Sequence, residues 1–188
     1  TCTCIRAAYA PADAQTSDQA LAAFVFAEPL TTFLRQAEHA WVRDALAEDW
    51  LFSVFQPILN ARTGALFAQE ALLRAWDPEE DRMIGAGPIL HSCEALNLQH
   101  QLDQRARQAA IRGAAEHVPA PTQLFINFLP NTIYDPEVCL RTTIETAAEC
   151  GLSLSRLVFE VVETQRIPDM AHLKRILDYY RVGGMRTA

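Results

Sequence analysis

Nowhere in the 188 residues does an uninterrupted apolar run approach the roughly 18 that would cross a membrane, so no transmembrane helix is expected. The amino terminus, TCTCIRAAY, lacks a basic stretch followed by an apolar one and does not read as a signal peptide. It also lacks an initiator Met, and the chain is expected to be a processed or excised part of a longer protein. Positive charge is scarce: 16 Lys and Arg against 23 Asp and Glu leave a net charge of −7. That balance argues against DNA or RNA as a partner, because such surfaces work by neutralising phosphates. An acidic protein can still take a small phosphate ester when divalent cations stand between carboxylate and phosphate. Glycine-rich phosphate loops, nucleophile elbows and zinc-type Cys/His spacings are all missing. The five cysteines form no disulfide framework. Cys93, Cys139 and Cys150 fall in helical patterns and read as reduced core residues of a cytoplasmic protein. Cys2 and Cys4 would need further Cys or His partners to hold a metal, and none is close in sequence. His39, His91, His100, His117 and His172 lie in or beside predicted helices, as surface or packing residues. No repeat or low-complexity segment is present.

What is there suits a soluble globular domain. Half the residues are apolar and 21% are charged, so core material is ample. Two β-type segments, 52–59 and 65–73, flank Asn60-Ala61-Arg62-Thr63-Gly64, a polar connection with Gly near its end, which predicts a hairpin. In a strand Glu70, Leu72 and Arg74 share a face while Gln69, Ala71 and Leu73 point away. An acid and a guanidinium so placed suit a metal ion and a phosphate, and they equally suit a plain surface ion pair.

The rest of the chain alternates. Residues 1–17 read as tail, and 18–28 as helix or strand, broken by Pro29. One helix is expected over 32–47 from Leu34, Ala37, Trp41 and Ala45. A charged loop is expected over 77–83, then helices over 87–96 and 99–117. The second of these presents Leu98, Leu102, Ala106, Ala109 and Gly113 to a sheet. A buried strand follows over 124–129. A helix opens at Asp135-Pro136 with Leu140, Ile144, Ala147 and Ala148 as its stripe, and Gly151 ends it. Another strand spans 156–162. A last helix runs from Pro168-Asp169, with Met170, Leu173, Ile176, Leu177 and Tyr180 facing inward, and a strand begins at Met185. Strands alternating with helices imply parallel crossover units, whose ligands sit at strand carboxyl ends.

Glu70, Asn127 and Glu160 all fall at or near such ends. Three oxygen donors on successive strands suggest a site for a hard cation such as Mg2+ or Mn2+. The plainer alternative is that Asn127 and Glu163 cap backbone groups.

Gln56-Pro57-Ile58, Thr63-Gly64 and Glu70-Ala71-Leu72-Leu73-Arg74 together resemble the opening signature of the EAL domain, whose members are phosphodiesterases or degenerate receptors of cyclic di-GMP. Asn127-Phe128-Leu129-Pro130 is similar to that family's Asn-x-x-Pro segment, and Glu160-Val161-Val162-Glu163 to its Glu-x-x-Glu segment. The resemblance spans about 50–188, which would leave 1–49 as an amino-terminal tail and helical lead-in. It implies a modified eight-stranded (β/α)8 TIM-like barrel with an antiparallel first strand, of which about the first half lies in this chain. It further implies Glu70, Asn127 and Glu160 as ligands of Mg2+ or Mn2+ in a two-metal site. Glu163 would steady a loop, and Gln56, Leu72 and Arg74 would contact the dinucleotide. The implied activity is hydrolysis of cyclic di-GMP to linear pGpG, and the protein is expected to be a cytoplasmic homodimer. The implied alternative is a receptor that binds without cleaving.

Two departures matter. The family's paired aspartates and a later Lys would lie beyond Ala188. Ile84-Gly85-Ala86-Gly87-Pro88 also stands where an aromatic-Ile-Pro sequence is usual. The chain by itself is therefore expected to be catalytically inactive and prone to self-association.

Overall fold

The computed structural model describes residues 6–7, 28–161 and 169–188. Two compact units divide the chain, one of residues 1–41 and one of residues 42–188. In the first, β1 (Arg6–Ala7) pairs antiparallel with β2 (Glu28–Pro29), and α1 (Leu30–Glu38) follows. The single helix expected over 32–47 is two: α1 stops and α2 (Trp41–Ala47) begins after a turn at His39 and Ala40. The apolar spacing that suggested continuity has burial to back it only in α2, which buries Val42, Ala45 and Leu46, whereas α1 buries nothing. The expected tail over 1–17 and element over 18–28 lie almost wholly outside the described residues.

The second unit is built on the predicted hairpin. β3 (Leu51–Leu59) and β4 (Leu66–Asp77) pair antiparallel. Asn60 closes the turn, its side-chain oxygen accepting the N–H groups of Arg62 at 2.9 Å and Thr63 at 3.2 Å. Gly64 then takes φ +69°, which a side chain would resist. The charged stretch expected as a loop contains a strand instead: β5 (Arg82–Gly85) folds back antiparallel on the far end of β4. Asp77 caps the tight turn between them by accepting from Glu79 and Glu80, and those polar turn residues mask the short strand in the sequence.

Beyond β5 the connections become crossovers. α3 (Ala86–Ala95) and α4 (Gln99–His117) lead to β6 (Gln123–Phe128), which lies parallel to β4. α5 (Pro136–Cys139) and α6 (Arg141–Glu149) lead to β7 (Leu157–Val161), parallel to β6. α7 (Met170–Val182) leads to β8 (Arg186–Thr187), parallel to β7. The sheet order is β3-β4-β6-β7-β8 with β5 beside β4, an antiparallel first strand followed by a parallel series. Among the described residues no helix is long and apolar enough to cross a membrane.

One face of this sheet meets the helices. Ala71, Leu124, Ile126, Phe128, Leu157 and Phe159 pack with helix residues that include Ile111, Ala147, Ile176 and Tyr180. Tyr180 stacks on Phe159 at 4.0 Å between ring centres and meets Phe128 edge-on. Each such buried side chain contributes about 1.5–3 kcal/mol. The inward face of α4 is rotated from the expected one. Leu102, Asp103, Arg107, Ala110, Ile111 and Ala114 are buried, while Ala106, Ala109 and Gly113 are half-buried, Gly113 against Phe55 of β3. Two polar residues at the centre of the buried stripe conceal it from an apolar count. For the same reason α6 buries Thr143, Thr146 and Ala147 while Ala148 is exposed. In α7 Leu173, Ile176 and Tyr180 face inward as expected, but Met170 in the first turn is exposed. Asp135 and Asp169 cap α5 and α7 by accepting the N–H groups of Glu137 and His172.

Candidate functional site

Strand register decides which side chains can meet. Gln56 lies opposite Glu70 across the hairpin, and Glu70 lies level with Phe125 of β6. Asn127, two residues on, shares the face of Phe125 and lies level with Glu160 of β7. Gln56, Glu70, Asn127 and Glu160 therefore share the face opposite the helix-packed one. Asn127 and Glu160 are each one residue from the end of their strands.

The side chains engage there. Asn127 Nδ2 donates to Glu70 Oε1 at 2.9 Å. Burial pushes the Glu160 carboxyl above its usual range, and the neighbouring charge of Glu70 pushes it further. Both acids are half-buried, and the charge of Glu70 stands close enough to disfavour ionisation of Glu160. Such a donor set suits a hard cation. Among the described residues no group of three or more His, Cys, Asp or Glu gathers, so a cation here would depend on the Asn127 amide for a third protein oxygen.

Leu72 and Arg74 continue the Glu70 face along β4. Arg74 is half-buried, donates from Nη1 to the Leu73 carbonyl at 2.7 Å, and pairs with Gly85 of β5. A cavity of about 540 Å3 lies mainly between the helix-packed face of the sheet (Ala71, Ile126, Phe128) and helices α3 and α4, with Arg74 and Asn127 also in its wall. Ala86 also lines it, and a Cβ at Gly85 or Gly87 would meet nothing within 4 Å. Gln56 is exposed at the other end of the row. Glu163 lies outside the described residues.

The sequence reading passed over a buried ionic group behind the site. Asp103 and Arg107, one turn apart on α4, are only 4% and 1% exposed and pair with each other. Arg107 also donates to Thr143 Oγ1 at 3.0 Å and to the Cys139 carbonyl at 3.3 Å. Asp103 Oδ1 accepts the N–H of Leu129 at 2.9 Å, two residues beyond Asn127. The available signal is an i,i+4 acid–base pair placed among Leu102, Ala110 and Ala114 rather than on the solvent face. The cysteines are unremarkable by contrast: Cys93, Cys139 and Cys150 are free, and burial pushes the Cys93 thiol up to about 12, which keeps it unreactive.

The antiparallel first strand and the parallel series after it are the sheet of a barrel-type domain, and the acid–amide–acid row lies on its helix-free face. The EAL domain family model matches residues 39–188, and the chain belongs to that family. The c-di-GMP-bound form of a standalone EAL protein from Vibrio cholerae O395 is 34% identical, with a TM-score of 0.57 over 73% of this chain and 55% of that one. The Xanthomonas citri FimX EAL domain in complex with c-diGMP is 23% identical and shares the fold, with a TM-score of 0.67 over 81% of this chain and 58% of that one. Bacillus subtilis YkuI, solved with c-di-GMP and calcium, shares it at 21% identity and a TM-score of 0.57, over 78% of this chain and 37% of that one. An uncharacterized protein of Synechocystis is 26% identical over 156 residues, 81% of this chain and 22% of that protein. The chain thus spans little more than half of the first two structures and under a quarter of the Synechocystis protein.

Proposed function

We propose that the protein containing this chain is a metal-dependent phosphodiesterase that hydrolyses one ester of cyclic di-GMP, giving linear pGpG. The observation that carries the reading is that Glu70, in the middle of β4, shares one sheet face with Asn127 and Glu160 at the ends of β6 and β7, and accepts the Asn127 amide. A half-buried Glu160 whose proton affinity is raised by burial and by Glu70 is costly to ionise unless a cation or a network joins the two acids. In this reading Glu70, Asn127 and Glu160 hold Mg2+ or Mn2+ through their side-chain oxygens. Such a cation, when bound, supplies Lewis acidity and a water of lowered pKa. Arg74 turns from the Leu73 carbonyl to a phosphate oxygen, Leu72 contacts the dinucleotide from the same face, and Gln56 approaches it from β3. Glu163 is assigned the steadying of the connection after β7. The homodimer and the cytoplasmic location implied by the family belong to the same proposal.

Titration of the intact protein with cyclic di-GMP, in parallel with product analysis, tests this. Arg74→Ala removes a charge-assisted contact worth about 1.5–3 kcal/mol and is expected to weaken binding about 10- to 100-fold. Unchanged affinity would remove Arg74 from the site. Tight binding of the parent with no pGpG in Mg2+ or Mn2+ would make the protein a receptor.

A further inference from the structure

The Asn127 side chain has to reach Glu70 across two strands, yet Asn127 sits where β6 gives way to an irregular turn. That turn is fastened from one side. The Leu129 N–H is accepted by Asp103 Oδ1, and the Leu129 carbonyl accepts from the Thr132 N–H at 3.0 Å and from Thr132 Oγ1 at 2.7 Å. The Thr132 carbonyl meets the His100 ring at 2.8 Å. Asp103 is therefore the buried charged group that ties α4 to the backbone just beyond Asn127. Its other oxygen is engaged by Arg107, which also donates from Nη2 to the Cys139 carbonyl of α5 and from Nε to Thr143 of α6. Bonds in three directions hold the planar guanidinium, and through it the carboxylate, in one orientation.

We propose that Asp103, clamped by Arg107, is a positioning residue for the Asn127 amide: it fixes the end of β6 so that Asn127 meets Glu70 in the geometry a cation requires. This rests on the metal reading above and deepens it. Residues that orient a metal ligand through a hydrogen bond are worth about 10- to 100-fold in metal affinity, although they never touch the ion.

The test has to separate positioning from folding, because removing one partner of a buried pair strands the other. Two double variants of the intact protein do so. Asp103→Leu/Arg107→Leu removes both charges and the acceptor for the Leu129 N–H. Asp103→Asn/Arg107→Leu removes both charges and keeps that acceptor. Mn2+ affinity by calorimetry, thermal unfolding, and the side-chain amide signals of Asn127 in the metal-free protein are measured for each. We expect similar melting temperatures, with Mn2+ affinity and the Asn127 signals near parental values in the variant that keeps the acceptor. The other variant should lose about tenfold in affinity and show averaged Asn127 amide signals. Equal Mn2+ affinity and equal Asn127 signals in both variants would overturn the proposal, as would equal loss in both. Should the parent itself bind no Mn2+, the metal reading fails alone, and the Asn127 signals still decide whether Asp103 positions that amide.

Discussion

At the scale of single residues, the site is a balance between carboxylates that repel and partners that relieve them. Glu160 carries the clearest record, since burial and Glu70 both hold its carboxyl above the usual range. The raised value means that the folded state binds this proton more tightly than the unfolded chain does. The contribution of Glu160 to the stability of the metal-free protein is therefore fully present below the ordinary carboxylate value and is lost as pH rises through the raised one. Glu160→Gln should flatten that part of the stability profile and make the metal-free protein more stable at neutral pH while removing a proposed cation ligand. Denaturant unfolding in chelator at about pH 4 and pH 7 checks this, and an unchanged slope would mean that Glu160 is not strained by its neighbour. The Asp103–Arg107 pair follows different arithmetic. Breaking it from one side costs about 3–5 kcal/mol, whereas replacing both partners by apolar groups is often close to neutral. Single variants there would report folding more than function.

At the scale of elements, the motif-bearing strands were legible and the elements around them less so. Alternation alone puts Glu70 and Arg74 on one face of β4, and buried runs bounded by turn residues mark β6 and β7. Residues whose role depends on a partner far along the chain were not legible. Arg107 reads as an ordinary surface charge until α6 brings Thr143 to it, and β5 is too short and too charged to separate from its turn. The rotated face of α4 has the same cause, because its buried stripe includes Asp103 and Arg107. The junction of α4 with β3 offers a direct check on packing. A Cβ added at Gly113 would stand 3.2 Å from Phe55 Cζ, so Gly113→Leu should lower stability by about 1–3 kcal/mol through overpacking, read from chemical denaturation. A neutral result would show that α4 stands further from the hairpin.

At the scale of the whole molecule, charge and fold point to the same chemistry. A chain of net charge −7 does not attract a phosphate diester by its general field, and the acid row would repel one. Binding must come from a local reversal of sign, which Arg74 and bound cations can provide. The family model over residues 39–188 and the shared sheet topology establish the scaffold. In the proposed reading, turnover depends on Glu70, the residue that touches Asn127, perturbs Glu160 and faces Gln56. The most direct measurement is cyclic di-GMP hydrolysis by the intact protein and its Glu70→Ala variant, with Mg2+ or Mn2+ and with chelator. The account predicts pGpG from the parent, none in chelator, and a fall of at least about 100-fold in Glu70→Ala, since a direct ligand should matter at least as much as the groups that orient one. Turnover by Glu70→Ala at the parental rate would contradict it.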